Sequence, residues 1–280
     1  MIIKQVQEAN VSSMSEKISY CAQIVRDFDP DRFLMTMLMP AEFREDLLCL
    51  FAFNHEIAKT REVVSETMLG QIRLKWWQEG IKEIYDGAPV RQHEILMPLA
   101  RVIEERGLSY EYFETMIYAR EFDLEDVLPG NLEGLANYCD FTLGPLLKLV
   151  LQVMGDDPET QNVQPVAINY ALCGLLRAVP FHGGQRRCYL PEDLMQEHGQ
   201  SLQGLYEGKI AENFYRVIEQ TLEVYEYDLK PENPFLRASH ILSQIYYKHI
   251  KNNKFNVLAP NLMRDPPFKV LRLVAGYYLL

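Results

Sequence analysis

Basic residues are scarce in this sequence. It contains 28 lysines and arginines against 39 aspartates and glutamates, which gives a net charge of −11 over 280 residues. A protein that binds the phosphate backbone of nucleic acid needs a basic surface, so nucleic acid is not an expected partner. An acidic balance of this size otherwise indicates little more than solubility.

Paired cysteines are lacking as well. The cysteines are odd in number and none has CxxC spacing: Cys21, Cys49, Cys139, Cys173 and Cys188. We therefore expect neither a disulfide framework nor a zinc knuckle. Reduced and mostly buried thiols in a reducing compartment are the simplest interpretation.

Targeting and membrane-spanning segments are also missing from the pattern. The first twenty residues have no apolar stretch of signal-peptide length, lack arginine and contain Glu8 and Glu16, which argues against a transit peptide. No run of about 18 apolar residues occurs, so we expect no transmembrane helix. The most apolar segment, residues 270–280, predicts a terminal helix docked on the core, with contact to a membrane surface as the alternative.

Helical periodicity dominates what is present. From Phe43 to Ile57, the positions of Leu47, Leu50 and Asn54 fall at four- and three-residue intervals on one helical stripe. The same periodicity predicts a helix with Met68, Ile72, Trp76 and Ile84 that ends near Asp86, helices over residues 94–105, 110–125, 132–154, 163–179, 210–229 and 235–251, and another that begins near Pro191. No alternating strand of useful length occurs. We expect one all-α domain of eight to ten helices over residues 1–280.

Two apolar helical segments carry polar residues near their ends. The first begins at Phe51 and reads FAFNHEIAKTREVVSETMLGQIRLKWWQEGI; the second begins at Tyr170 and reads YALCGLLRAVPFHGGQRRCYLPEDL. They resemble the two signature helices of the squalene/phytoene synthase family, down to the Tyr189-Leu190-Pro191 of the second. The resemblance runs from about residue 20 to residue 249. It implies a single-domain isoprenoid (terpenoid) synthase fold, a helical bundle around a central cavity with the two segments facing each other.

Active members of that family carry aspartates one turn apart on each signature helix. Carboxylates at i and i+4 share a helix face, and two such faces hold magnesium ions that bind a diphosphate as it leaves. The match of positions places Ala58, Lys59 and Glu62 in the first motif and Ala178 and His182 in the second. Only Glu62 is a carboxylate, and Lys59 adds a positive charge. We therefore expect the metal site to be lost, with no catalytic residue and no cofactor.

The second segment further resembles a divergent branch of the family that acts in assembly of respiratory complex I. In that branch an arginine, a small residue, proline, an aromatic residue, histidine and glycine replace the aspartate motif; here they are Arg177, Ala178, Pro180, Phe181, His182 and Gly183. The resemblance implies a pseudoenzyme whose partners are complex I subunits or assembly intermediates. It also implies a location in the cytoplasm, or in the matrix for a processed organellar form, next to the inner membrane.

Two other functions stay open at this point. One is an active head-to-head prenyl transferase, which the lost aspartates oppose. The other is a module that binds a prenyl lipid or quinone and holds its polar end through His55, Lys59, Arg177, His182, Arg186, Arg187 and Tyr189. Charge-assisted bonds from arginine are well suited to an anionic head group. The structural alternative is that the arginines pair with nearby acids such as Glu192 and Asp193.

Three further groups have a structural and a functional interpretation. His55, Glu62 and His182 could bind zinc or iron, although ordinary polar lining is the expected role. Trp76 and Trp77 are expected in the core and cavity wall, with a partner-binding hot spot as the alternative if one is exposed. A charged run is expected to form a solvated helix face: Arg120, Glu121, Asp123, Glu125 and Asp126.

Overall fold

The structure, a computed structural model, describes residues 18–125 and 127–279. The expectation about targeting signals in the first residues, together with Asp126 of the charged run and Leu280 of the tail, lies outside these ranges. The described residues form α-helices and short 3₁₀ turns, and they contain no β-strand. The all-α expectation is confirmed, whereas a single domain over residues 1–280 stays a prediction.

Seven helices precede residue 125. They are α1 (Tyr20–Phe28), α2 (Pro30–Met37), α3 (Ala41–Ala58), α4 (Thr60–Val63), α5 (Thr67–Tyr85), α6 (Leu96–Arg106) and α7 (Tyr110–Ala119), with a 3₁₀ turn at Phe122–Leu124. The described residues after this turn hold α8 (Leu132–Met154), α9 (Val163–Arg177), α10 (Val179–Gly184), α11 (Glu192–Glu197), α12 (Leu202–Tyr206), α13 (Phe214–Thr221), α14 (Pro234–Asn252) and α15 (Lys269–Leu279), with 3₁₀ turns at Pro158–Thr160 and Leu222–Val224.

Helix α8 is the central element of the fold. The side chain of Asn131 caps its first turn by accepting a hydrogen bond from the Gly134 amide at 2.9 Å. Gly155, with φ of 82°, ends it in the left-handed conformation that glycine adopts without strain. Helices α3, α7 and α9 all pack against it. Both ends agree with the sequence prediction.

Helix α3 passes through the core next to α8. Its predicted stripe is confirmed, since Leu47, Leu50, Asn54 and Ile57 are all buried. Asp46 is also buried, and the guanidinium groups of Arg101 and Arg106 each bind one of its oxygens at 2.8 Å. A buried carboxylate needs such partners to offset its desolvation.

Several predicted helices are shorter than expected, so the described residues hold more helices than the eight to ten predicted. Helix α7 stops at Ala119, because the amides of Arg120 and Glu121 bond three residues back and tighten the chain. Helix α9 stops at Arg177, since Pro180 lies in the first turn of the next helix and cannot continue the preceding ladder. The helix predicted over 210–229 spans Phe214–Thr221 and the 3₁₀ turn after it.

Helix α5 has the predicted length but presents a different face to the core. Its buried side chains include Leu74, Trp77 and Ile81, whereas Met68 and Ile72 are 68% and 60% exposed. Trp77 is therefore a core residue, as expected. Its neighbour Trp76 is exposed, with the guanidinium of Arg91 at 5.2 Å from its ring centroid.

All five cysteines are free and buried. Burial raises the pKa of Cys173 to about 12 and that of Cys188 to about 11. A thiol with so high a pKa carries almost no reactive thiolate at neutral pH. The expectation that the cysteines are buried is therefore confirmed.

The terminal helix α15 docks on α14, as expected, but only along one side. Leu273 is fully buried, and a Cβ built on Gly276 would meet Ile241 at 3.0 Å, so the two helices approach closely there. On the outward side Leu271 and Tyr278 are 65% and 69% exposed. Among the described residues, no helix has both the length and the apolar character needed to cross a membrane.

The two leucines of α15 should respond differently to truncation. Leu273→Ala should lower the free energy of unfolding by about 2–5 kcal/mol, because it opens a cavity between packed helices. Leu271→Ala should change it by less than about 0.5 kcal/mol, because the side chain already faces solvent. Urea unfolding of both variants measures the difference, and equal losses would contradict the packing described for α15.

Candidate functional site

A cavity of about 430 Å³ lies between the two signature segments. Ala58, at the end of α3, lines one side, and Ala178 and His182 line the other. The predicted arrangement, with the two segments facing each other, is therefore present. The remaining lining residues are Asp29, Asp31, Arg32, Arg120, Tyr138, Thr142, Leu143, Tyr170, Ala171, Gly174, Leu175, Arg177 and Tyr246.

The charged residues of the first segment point away from this cavity. The Lys59 ammonium binds Glu56 at 2.5 Å, and the Arg73 guanidinium binds the other oxygen of the same carboxylate at 2.6 Å. Glu56 is buried, so the two cations offset its desolvation. Glu62, the one carboxylate left in the motif, is exposed on the short helix α4. Neither Lys59 nor Glu62 lines the cavity.

Arg177 of the second segment does line the cavity. Its guanidinium lies 3.6 Å from the ring centroid of Tyr246 and forms ion pairs with Asp31 at 3.6 Å and Asp265 at 3.7 Å. Arg177 therefore pairs with acids, as the structural alternative holds, but these are not the examples Glu192 and Asp193. The end of α9 lies beside α2 and α14, and its charge partners come from α2 and from the segment before α15.

Three helices provide the hydrogen-bond and ion-pair partners of Asp31 at the cavity wall. The Tyr246 hydroxyl donates to it at 2.5 Å, and the Lys269 ammonium binds it at 2.7 Å, in addition to the ion pair with Arg177. Burial, and then the charge of Asp31, raise the pKa of Tyr246 far above its ordinary value. Tyr246 is therefore a fixed neutral donor at the cavity wall.

A second buried network contributes Arg120 and Tyr138 to the cavity lining. Asp123 binds the Arg120 guanidinium at 3.3 Å and accepts hydrogen bonds from the hydroxyls of Tyr138 at 2.7 Å and Tyr189 at 3.2 Å. Asp123 is only 8% exposed. Burial lowers the pKa of Arg120, but the charge of Asp123 and its hydrogen bond, together with Tyr138 and Tyr189, outweigh burial, so the pKa is raised and the guanidinium stays charged.

The expectation of a solvated face for this charged run is wrong for its two inward residues. Glu121 and Glu125 are exposed as expected, whereas Arg120 and Asp123 turn inward. A signal for this was present in the sequence, because Arg120 continues the helical stripe of the buried Phe113 and Ile117. Its spacing from them predicts the core side of the helix.

Three arginines line the cavity, against two aspartates. Arg32 and Arg120 were not among the predicted residues; Arg32 binds Asp29 at 2.7 Å. The Nε atoms of Arg120 and Arg177 are buried and have no hydrogen-bond acceptor among the described residues. A buried donor without a partner costs free energy that an anionic ligand would recover.

His182 adds a neutral ring to this wall. Burial, and then the charge of Arg187, lower the pKa of His182 to about 4, although Asp123 acts in the opposite direction. Its ring meets that of Tyr189 edge-on, with centroids 4.8 Å apart. Arg187 lies on the far side and donates to the Arg61 carbonyl at 3.0 Å.

The other predicted ligand-binding residues lie outside the cavity. His55 stacks on Phe28 with ring centroids 4.9 Å apart, and Arg186 lies over the ring of Tyr206 at 5.6 Å. Lys59, Arg187 and Tyr189 are also absent from the cavity lining, although the Tyr189 ring contacts that of His182. The structure therefore brings together only Arg177 and His182 of the predicted anion-binding set.

The alternative of a zinc or iron site is not supported. His182 lines the cavity, whereas His55 and Glu62 do not. Across residues 18–125 and 127–279, no three histidine, cysteine, aspartate or glutamate side chains are grouped so that they could hold a metal ion.

The shifted pKa of His182 predicts a specific loss of stability in acid. The folded state holds the pKa at about 4, below the ordinary value of 6.5. The stabilisation is therefore complete above pH 6.5 and lost as the pH falls toward 4. The loss amounts to about 3 kcal/mol, at 1.4 kcal/mol per pKa unit.

His182→Gln should lack this component, because glutamine does not titrate. The free energy of unfolding, measured by urea denaturation across this pH range, should fall more steeply in the wild type than in the variant. Parallel curves would contradict the buried, neutral state of His182. A constant offset between the two proteins reports only the change in packing.

Comparison with known proteins gives concordant matches. The family model for squalene/phytoene synthase matches residues 25–240. The chain is 28% identical over 257 residues to "NADH dehydrogenase (ubiquinone) complex I, assembly factor 6" of Bos taurus, covering 88% of this chain and 77% of the relative. It is 21% identical over 226 residues to "Phytoene synthase 1, chloroplastic" of Arabidopsis thaliana, covering 78% of this chain and 53% of that protein.

A solved structure confirms the fold. A dehydrosqualene synthase determined in complex with ligand superimposes with a TM-score of 0.69 at 16% identity, covering 92% of this chain and 94% of the other. At that identity the likeness establishes the architecture alone. With the family model matched over most of its length, the chain belongs to the squalene/phytoene synthase family.

Proposed function

We propose that this protein acts in the assembly of respiratory complex I and does not condense prenyl diphosphates. Its similarity to the bovine assembly factor extends over 88% of the chain. The expected partners are complex I subunits or assembly intermediates. The proposed location is the cytoplasm, or the matrix for a processed organellar form, at the surface of the inner membrane.

One observation carries the non-catalytic half of this proposal. The two signature segments face each other as in a prenyl synthase, but Ala58 and Ala178 occupy the facing positions. An alanine side chain has no atom that can bind magnesium, and His182 is a poor ligand for a cation that prefers oxygen. The remaining carboxylate of the motif, Glu62, lies outside the cavity. The residues of this site therefore do not fit a cluster of magnesium ions holding diphosphate.

Deletion of the gene in its native host should test the assembly role. We expect the in-gel NADH dehydrogenase activity of intact complex I to disappear and to return with a plasmid copy. Glu62→Gln should restore it as well as the wild type does, because Glu62 has no ligand role in the proposed function.

Purified protein incubated with magnesium and farnesyl or geranylgeranyl diphosphate should form no squalene or phytoene.

The contrary results are distinct. Condensation product above a no-enzyme control, abolished by Glu62→Gln, would establish the active transferase instead. A deletion strain with normal complex I, or a host without complex I subunits, would refute the assembly role.

A second function is favoured by the cavity itself. Its lining combines three arginines with the apolar side chains of Leu143, Ala171 and Leu175. A cavity of about 430 Å³ lies in the range of small-molecule sites, roughly 300–1,000 Å³. An amphiphile with an anionic head and an isoprenoid tail fits this combination, with guanidinium groups in place of metal ions.

Gly174 offers a way to test the cavity without disturbing the fold. It lines the cavity from within α9, and a Cβ placed on it would have no neighbour within 4 Å. Replacement of a helical glycine by a residue with better helix propensity is stabilising where space permits. Gly174→Leu should therefore fill the cavity while the melting temperature stays equal or rises.

We expect the wild type to bind farnesyl diphosphate in the presence of EDTA, measured by calorimetry. Gly174→Leu should weaken this binding at least about tenfold, equivalent to 1.4 kcal/mol. Gly174→Ala, the matched control, should stay near the wild type. Binding of farnesol, which lacks the anionic head, measures the contribution of the apolar side chains. Binding of inorganic diphosphate, which lacks the tail, measures that of the arginines. Absent binding to the wild type, or equal binding to Gly174→Leu, would refute the ligand role.

A further inference from the structure

The charge of this acidic protein is distributed unevenly along the chain. Residues 245–280 contain six lysines and arginines and a single acid, Asp265, although the whole chain carries a net charge of −11. Asp265 is already neutralised by Lys269 at 2.8 Å. The end of the chain is therefore a basic region on an acidic protein.

These basic residues surround the connection between α14 and α15. Lys251 and Lys254 are exposed where α14 ends, and Arg264 is exposed in the connection. The connection folds back along α14, since the His249 ring lies 3.2 Å from the Asn261 carbonyl. Lys269, the first residue of α15, then binds Asp31 and holds this end of the helix in place.

The same connection exposes large apolar side chains. Met263 is 67% exposed, Phe268 77% and Leu271, on the first turn of α15, 65%. Phe268 also has a φ of 56°, a left-handed conformation that costs an aromatic residue free energy. The exposed ring therefore belongs to a strained residue, and strained residues cluster at functional sites.

The outward side of α15 continues this surface. Leu271 and Tyr278 lie two turns apart on the side opposite the buried Leu273. A helix at the surface of a soluble protein ordinarily carries charged residues there. An apolar outward face flanked by lysine and arginine is instead typical of helices that lie on membranes.

We infer that Met263, Phe268, Leu271 and Tyr278, with Lys251, Lys254, Arg264 and Arg272, form a docking surface for an anionic lipid bilayer. Charge complementarity selects this occupant. An acidic protein is repelled by anionic lipids everywhere except at a basic face, so the basic face also orients it. A second copy of the chain is disfavoured, because two such basic faces repel each other.

This inference deepens the proposed function, which places the protein at a membrane surface, but its test needs no complex I. Full-length protein is floated with vesicles of phosphatidylcholine alone or mixed with phosphatidylglycerol. We expect flotation with the anionic vesicles only and release by high salt, because screening weakens the contribution of the lysines and arginines.

Two double variants probe the surface, each with a matched control. Phe268→Asn with Leu271→Ser removes apolar contacts, and asparagine tolerates the left-handed backbone. Lys251→Glu with Lys254→Glu reverses two charges. Each double variant should weaken binding to anionic vesicles at least about tenfold. The first loses apolar contacts with the bilayer, and the second loses the electrostatic attraction of two lysines to anionic lipid. Met68→Ser with Ile72→Ser, and Lys75→Glu with Lys82→Glu, make the same changes on α5 and should bind like the wild type.

Other outcomes overturn the inference. Absence of flotation with anionic vesicles would refute it, as would equal losses in the α5 controls. A dimer that is broken by Phe268→Asn with Leu271→Ser would assign the surface to a second copy. If the wild-type protein binds anionic vesicles but its gene on a plasmid does not restore complex I in the deletion strain, the lipid-binding surface is supported. That result refutes the assembly role alone.

Discussion

The carboxylate of Asp31 is the constraint on which this structure depends. It lies at the start of α2 and binds groups from α9, α14 and α15, namely Arg177, Tyr246 and Lys269. Without this partly buried carboxylate, Arg177 and Lys269 would keep Asp265 alone as a partner, a greater loss than that of an exposed surface pair. The second helix, α2, and the last described helix, α15, are thus linked through one side chain that also lines the cavity.

Because Arg177 and Lys269 share this carboxylate, the cavity and α15 are electrostatically connected. An anion in the cavity that attracts Arg177 would leave Asp31 more fully to Lys269. Asp123 binds a different set of groups, namely those of Arg120, Tyr138 and Tyr189. One network thus reaches α15, whereas the partners of Asp123 lie on α8 and on the segments that follow α7 and α10.

Much of the architecture could be predicted because the local signals agreed with the packing. Asn131 and Gly155 end α8 for reasons that depend only on neighbouring backbone, so its bounds were correct. The facing of Ala58 and Ala178 followed from the family resemblance. Arg120 was missed because its charged run was expected to face water, although its spacing argued otherwise, and Arg32 lies outside both signature segments. On α5 the apolar residues occupy more than one face, and only tertiary contacts decide that Trp77 is buried and Trp76 is not.

The buried cysteines allow the opening of the core to be measured by chemical labelling. Cys139 and Cys173 lie on the two central helices α8 and α9, and burial raises the pKa of both far above neutrality. An alkylating reagent would reach them only when these helices separate, so the labelling rate would report how often the core opens. Cys188 lies beside the cavity wall and would report a smaller, local movement there. The labelling rates of Cys139, Cys173 and Cys188 would thus distinguish global opening of the core from a local movement, without introducing any new cysteine.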